Sequence, residues 1–148
     1  MDTQKKLLIE ALIEKPSNYD IDVNENSMLP SNLKKRKTLS FIIKPPTIEV
    51  LAKCVVPILR IPEEFKAVGK EIKIEEAIEY RNEMVEVLAI LSHGKTTDYP
   101  KWYPEFFLKN LTAKEVYNLF YESILKLQTD FFLNSFQIAS QNNPMMMT

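Results

Sequence analysis

The residues best suited to chemistry are one histidine, one cysteine and a set of glutamates. Any Ser–His–Asp or Cys–His system would have to use His93, yet nothing places Cys54 or a serine beside it and no nucleophile elbow occurs. One cysteine and one histidine also exclude a Cys/His zinc cluster and an intramolecular disulfide. Cys54 lies on an apolar helical stripe, which is typical of a small core residue rather than a reactive thiol.

The glutamates of residues 71–86 raise the question of a carboxylate metal site. A di-iron bundle needs Glu-x-x-His motifs, but Ile90 stands three residues before His93. The glutamates are interleaved with Lys73 and Arg81, as on a solvated face. No phosphate-binding or dinucleotide-binding glycine motif occurs. We predict a protein that is not an enzyme and uses no metal and no cofactor; paired carboxylates acting as acid and base are the enzymatic alternative left open.

A basic run, KKRK at residues 34–37, allows two interpretations. It could bind nucleic acid or act as a targeting signal. The net charge of −1 gives no general attraction to nucleic acid, and no second basic cluster or interleaved aromatic residues support the run. We interpret it as the solvated flank of the next element, and a small nucleic-acid-binding regulator is kept as an alternative.

Composition favours helices as the elements that position these residues. The chain of 148 residues has only two glycines but nine prolines, so helices joined by proline-marked turns are expected. We predict an all-α or mainly α fold, a small helical bundle around a long C-terminal helix, with at most one or two short strands near residues 38–43. The predicted helices are 3–14, 48–60, 72–92 and 113–141, with short turns at 62–68 and 100–109.

The long C-terminal helix is predicted to be the centre of the bundle. Residues 112–141 contain no proline or glycine, and Thr112 with Glu115 forms a capping box at their start. Apolar residues follow two helical stripes, which is the pattern of a helix surrounded by others. The helix of residues 48–60 is expected to be capped by Thr47 and to bury one side, formed by Val50, Leu51, Cys54, Val55 and Ile58.

The chain divides into three predicted parts: an N-terminal helix with a flexible polar linker (1–37), a helical domain (38–141) and a disordered tail (142–148). The N-terminal helix has an apolar stripe, formed by Leu7, Leu8, Ala11 and Leu12, that could dock on the domain or on another subunit. The N-terminus is a poor signal peptide and no segment is long and apolar enough to span a membrane. We expect a cytosolic protein.

Aromatic residues between residues 96 and 110 also allow two interpretations. They could plug one end of the bundle, as we expect for Trp102, Phe106 and Phe107, or form a patch for a protein partner. The predicted partner-binding residues are Trp102, Tyr103, Phe106, Phe107, Phe132 and Phe136.

Two segments resemble a known group of proteins. The first is a short strand leading through KPPT at residues 44–47 into a helix. The second is FFL at residues 106–108 and LTAKEV at 111–116, followed by a long helix with Phe131 and Phe132. Over residues 38–141 this pattern is similar to small helical proteins of phages and prophage-like elements of Bacteroidetes, described as tail assembly chaperone-like.

The resemblance implies a non-enzymatic assembly factor in the host cytoplasm. Such chaperones keep the hydrophobic, helical tape-measure protein soluble until the tail tube assembles around it. The partner would be that protein or another tail protein, with homo-oligomers also allowed and no membrane partner. The structural alternative is a virion subunit that clips to its neighbours through its N-terminal arm.

Overall fold

The structure, a computed structural model, describes residues 17–66 and 73–127 and shows a mixed α/β fold. It contains a two-stranded antiparallel sheet and six helices within those ranges. The strands are β1 (Ser17–Asp22) and β2 (Thr38–Ile43). The helices are α1 (Ile48–Leu59), α2 (Glu63–Lys66), α3 (Ile74–Glu79), α4 (Arg81–His93), α5 (Trp102–Asn110) and α6 (Ala113–Leu127). The predictions for residues 3–14, 128–141 and 142–148 lie outside the described residues.

The sheet forms one wall of the core. Ser17 pairs with Ile43, and the register continues to Asp22 opposite Thr38. Because side chains alternate across a strand, one face is apolar and buried, with Ile21, Leu39, Phe41 and Ile43. The other face is polar, and there the Ser40 hydroxyl donates to the Asp20 carboxylate at 2.6 Å.

The prediction of an all-α bundle is therefore wrong, and residues 17–22, which were predicted to belong to a polar linker, form β1. Strand β1 has the sequence SNYDID, in which asparagine, aspartate and serine outnumber the apolar residues. Two inward-facing side chains, Tyr19 and Ile21, are enough to pack β1 against the core, because β2 supplies three further buried side chains. Tyr19 also donates to Glu122 of α6 at 2.6 Å, and both burial and this hydrogen bond raise the pKa of its phenol.

The central element is α4, not the C-terminal helix. It packs against α1, α5, α6 and β2, and it buries residues around its whole circumference: Met84, Val85, Val87, Leu88, Ala89, Ile90 and Leu91. The sequence predicted one helix over 72–92, whereas the structure ends α3 at Glu79 and begins α4 at Arg81. The Tyr80 ring at this break packs edge-on against Phe65, with 5.3 Å between centroids.

The two predicted caps at Thr47 and Thr112 are confirmed. The Thr47 hydroxyl accepts from the amide of Val50 at the start of α1. Gly94 ends α4 with a φ of 65°, in the left-handed region that suits glycine. At α6 the Thr112 hydroxyl accepts from the Glu115 amide and the Glu115 carboxylate accepts from the Thr112 amide, at 3.1 and 2.9 Å. These caps were predictable because each depends only on neighbours in sequence.

Candidate protein-binding surface

Helix α1 carries an apolar surface on the side that faces away from the core. Its inner side, with Val50, Cys54 and Pro57, is buried and packs on α4. The opposite side is formed by Ile48, Ala52, Val55, Val56 and Leu59, all exposed. We call these five residues the outer α1 face.

The spacing of these residues makes them one continuous surface. Relative to Ile48 they stand four, seven, eight and eleven positions along the helix, which is the repeat of a single helical face. Ile48, Val56 and Leu59 expose 79, 55 and 72% of their surface. Isolated exposed apolar residues are ordinary, but an aligned set on one helix is typical of an interaction site.

The composition of α1 supports the same conclusion. Only two of its twelve residues, Glu49 and Lys53, are charged. A helix this apolar is normally covered all round, whereas the described part of the chain covers α1 on one side. The prediction that Val55 belongs to the buried side is wrong, since 42% of its surface is exposed. The excess of apolar residues in α1 was the signal for a second face.

Elsewhere in the described residues, large exposed apolar side chains occur singly or in pairs. Ile42 lies on the otherwise polar outer face of the sheet, opposite Asn18. Ile74 and Ile78 lie one turn apart on α3 and are also exposed. Neither set matches the length or continuity of the outer α1 face.

The aromatic residues of α5 form core rather than surface. Phe106 and Phe107 are 0 and 2% exposed, so their side chains lie in the core, and this burial disfavours their predicted role in partner binding. Trp102 and Tyr103 are partly buried and pack around Phe41. These residues therefore belong to the core, but the predicted helical bundle, whose end they were expected to plug, is replaced by a mixed α/β fold. Phe132 and Phe136 lie outside the described residues.

A shallow cleft of about 150 Å³ opens beside His93. The His93 Nε2 atom lies 2.8 Å from the Thr97 hydroxyl, and Lys53 and Asp98 also line the cleft. His93 is the last residue of α4, where the helix dipole is negative, whereas Lys53 and Lys95 bring positive charge to the cleft. These charges oppose each other and select no class of ligand, so the function is assigned to the outer α1 face instead.

Cys54 illustrates how the fold inactivates a potential nucleophile. Its side chain is fully buried, and burial, with a smaller effect of the Glu86 charge, raises the pKa of the thiol to about 12. Because the thiolate is the reactive form, the native thiol is both shielded and protonated at neutral pH.

We expect native Cys54 to react with a thiol reagent at pH 8 roughly a thousand times more slowly than a cysteine of ordinary pKa. The matched control is the variant Ala52→Cys with Cys54→Ala, which puts the only thiol two residues away on the exposed side. Reaction rates of both folded proteins with an aromatic disulfide reagent, followed by absorbance, would measure the ratio. Equal rates would contradict the burial of Cys54.

The basic run lies in the connection between the strands. Residues 34–37 are exposed, and the Val23 amide donates to the Lys37 carbonyl at 2.8 Å next to the sheet. This position fits a solvated flank, and nucleic-acid binding by the run stays an untested alternative.

Within residues 17–66 and 73–127, no three His, Cys, Asp or Glu side chains are grouped to hold a metal ion. Over the same ranges, every helix is too short or too polar to cross a bilayer. In comparisons with known proteins, no family model matched the chain, and neither the curated proteins nor the solved structures gave a significant match.

Proposed function

We propose that this protein is a non-enzymatic assembly factor that binds an apolar helical segment of another protein on the outer α1 face. The observation that carries the proposal is the exposure of five aligned apolar residues on a rigidly supported helix. Its inner side is anchored to α4, so the binding surface is presented without any need for α1 to fold on contact.

The chemistry of the face suits a helical partner of variable sequence. Residues at one helical repeat form a ridge that fits between the side chains of a second helix, and apolar anchors at such spacings are the usual mode of helix recognition. Ile48, Val55 and Val56 are β-branched, so little side-chain entropy is lost when they are covered. No hydrogen-bond pattern on the ridge restricts the partner to one sequence.

The resemblance to tail assembly chaperones suggests which helical partner this is. A tape-measure protein is long, helical and rich in apolar faces that need cover before the tail tube forms, and the encounter would take place in the host cytoplasm. The alternative is a structural virion subunit that clips to its neighbours through its N-terminal arm. The protein content of purified virus particles would distinguish the two roles, because a chaperone is absent from the particles and a structural subunit is present at fixed copy number.

We expect the double variant Val56→Lys, Leu59→Lys to lose partner binding at least tenfold while its free energy of unfolding stays within about 0.5 kcal/mol of wild type. Both residues are exposed, so lysines there cost little stability and place charge where an apolar helix must sit. Binding would be measured by co-expression with a phage tape-measure protein, followed by co-purification and titration.

The matched control is Asn118→Lys, which adds a lysine at an exposed position of α6. It should bind like wild type. Undiminished binding by the Val56/Leu59 variant would refute the assignment of the outer α1 face, and loss of binding in the α6 control would show a general charge effect instead.

A further inference from the structure

Strand β2 has a second edge, on the side away from β1. The Val23 amide donates to the Lys37 carbonyl at 2.8 Å, and this bond shows which residues of the two strands face each other through their backbones. Because bonded and non-bonded pairs alternate along an antiparallel ladder, the residues one, three and five positions after Lys37 direct their backbone groups away from β1. These residues are Thr38, Ser40 and Ile42.

The backbone groups at this edge are unpaired within the described part of the chain. The sheet has two strands there, and no backbone group of residues 17–66 or 73–127 bonds to the outward amides and carbonyls of β2. Successive outward residues stand about 7 Å apart along the strand. A row of unpaired amides and carbonyls is a template on which another strand can pair.

The sequence of β2 leaves this edge open to a further strand. Natural edge strands are usually protected by charges, prolines or bulges. β2 has none of these: its sequence is TLSFII, its register with β1 is unbroken, and its outer face carries Thr38, Ser40 and the 47% exposed Ile42. The opposite edge of the sheet, on β1, carries Asp20 and Asp22.

Basic side chains flank the β2 edge at both ends. Residues 34–37, KKRK, lie before the strand and Lys44 follows it, and all five are exposed. Within the described residues, the ion pairs involve other cations, Arg60 and Lys109. A strand laid along β2 spans about 20 Å, so its two ends lie beside these basic groups. Charge complementarity therefore favours an added strand with acidic residues at its ends.

A second copy of the chain fits this edge less well. Two β2 strands paired antiparallel about Ser40 would set Arg36 of one copy opposite Lys44 of the other, and like charges directly opposite are destabilising. Nucleic acid could neutralise the basic run, but it has no peptide backbone to continue the ladder. An acidic extended peptide is the occupant that uses both the backbone groups and the charges.

We propose that the free edge of β2 accepts an extended, acidic segment of a partner protein by strand addition. Main-chain hydrogen bonds to Thr38, Ser40 and Ile42 hold the segment, and carboxylates at its ends pair with residues 34–37 and Lys44. The site uses no residue of the outer α1 face, so it does not rest on the proposed function.

Amide hydrogen exchange of the full chain, read by nuclear magnetic resonance, tests the site directly. The probe is a synthetic peptide of about nine residues, with threonine and valine alternating in its middle and glutamates at both ends. At saturation we expect the amides of Thr38, Ser40 and Ile42 to exchange about tenfold more slowly, because they gain acceptors. The amides of Leu39 and Phe41, which face β1, should keep their rates. Binding without this alternation would overturn the proposal.

Modified probes separate strand addition from charge attraction. The same peptide with N-methylated residues throughout its middle keeps its charge but cannot form the ladder, and it should bind about tenfold more weakly. Equal binding of the two peptides would overturn the proposal. So would binding of a single-stranded oligonucleotide in the absence of peptide binding, which would assign the basic run to nucleic acid, or protection of the same amides by dimerisation of the free protein.

A matched pair of proline variants tests the edge from the side of the protein. Ser40→Pro removes an amide at the β2 edge, and Asp20→Pro removes one at the β1 edge; both leave the β1–β2 ladder intact and both lose the hydrogen bond between the two side chains. We expect Ser40→Pro to bind the peptide about tenfold more weakly and Asp20→Pro to bind it at least as well as wild type. Equal loss in both variants would contradict the assignment to β2.

Charge reversal gives a second test that leaves the strands unchanged. Lys35→Glu with Arg36→Glu should weaken peptide binding about tenfold at low salt and less at high salt, because exposed charges are screened. The control is Lys95→Glu with Lys101→Glu, an equal change of charge at exposed residues outside the sheet. Equal effects of the two double variants would show that net charge alone attracts the peptide, and would overturn the proposal.

Discussion

Replacing Asn110 by alanine should lower the free energy of unfolding by roughly 3 kcal/mol, because four hydrogen bonds are lost at about 0.5 to 1.5 kcal/mol each. The Asn110 Oδ1 atom accepts from the amides of Asn24 and Glu25 at 2.7 and 2.8 Å. Its Nδ2 atom donates to the carbonyls of Glu25 and Phe106 at 3.1 and 3.0 Å. The side chain thus fastens the connection after β1 to the end of α5.

Urea unfolding followed by circular dichroism would measure the loss of stability, and amide hydrogen exchange would locate it. The amides of Asn24 and Glu25 should exchange faster in Asn110→Ala, since they lose their acceptor. The matched control is Asn118→Ala, an exposed asparagine on α6, which should change stability by less than about 0.5 kcal/mol. Unchanged protection of both amides would contradict a stabilising role for their hydrogen bonds to Asn110.

Local sequence signals predicted the bounds of α1 and the start of α6, because their causes are local. The bounds of α1 agree with the prediction to within one residue at its C-terminal end, because Thr47 caps it and Pro57 lies in its last turn. The capping box of α6 is formed by residues three positions apart. In contrast, Asn110 forms hydrogen bonds with the amides of Asn24 and Glu25, which stand 86 and 85 positions away in the sequence, and no local pattern reveals such a contact.

The errors in the predicted fold occur where an element depends on contacts with residues distant in the sequence. Strand β1 is weakly apolar, and its stability depends on the partner β2, so its sequence alone resembles a loop. The centre of the fold was misplaced for a related reason. α4 mixes glutamates at its start with apolar residues at its end, whereas residues 112–141 are more evenly apolar, and sequence does not show which of two such helices the others surround.

Phe106 and Phe107 were predicted both to plug the end of a bundle and to bind a partner. Their burial places them in the core. The outer α1 face consists of aliphatic residues that sequence analysis ordinarily assigns to a core. Its exposure follows from how many neighbours the fold places around α1, a property of the whole arrangement rather than of the helix.

Replacing Phe41 by alanine should have the largest effect on stability, a loss of about 3–5 kcal/mol. The ring of Phe41 lies between Tyr103 and Phe107, with centroids 5.4 and 5.0 Å away, and it also contacts Trp102 and Phe106. Aromatic pairs at such distances contribute about 0.5–1.5 kcal/mol each beyond the area they bury. The variant leaves a cavity between the sheet and α5, the contact that distinguishes this fold from an all-helical bundle.

Chemical denaturation of Phe41→Ala, followed by fluorescence of Trp102, would report on this contact directly, because Trp102 is the only tryptophan and its ring centroid lies 6.5 Å from that of Phe41. Phe41→Leu fills more of the cavity and should cost about half as much. The exposed β2 residue next to it supplies the control, since Ile42→Ala removes an apolar side chain from the solvent face and should cost under about 1 kcal/mol. If Phe41→Ala were no more harmful than Ile42→Ala, the sheet would not pack on α5, because the two changes differ mainly in the face of β2 from which they remove atoms.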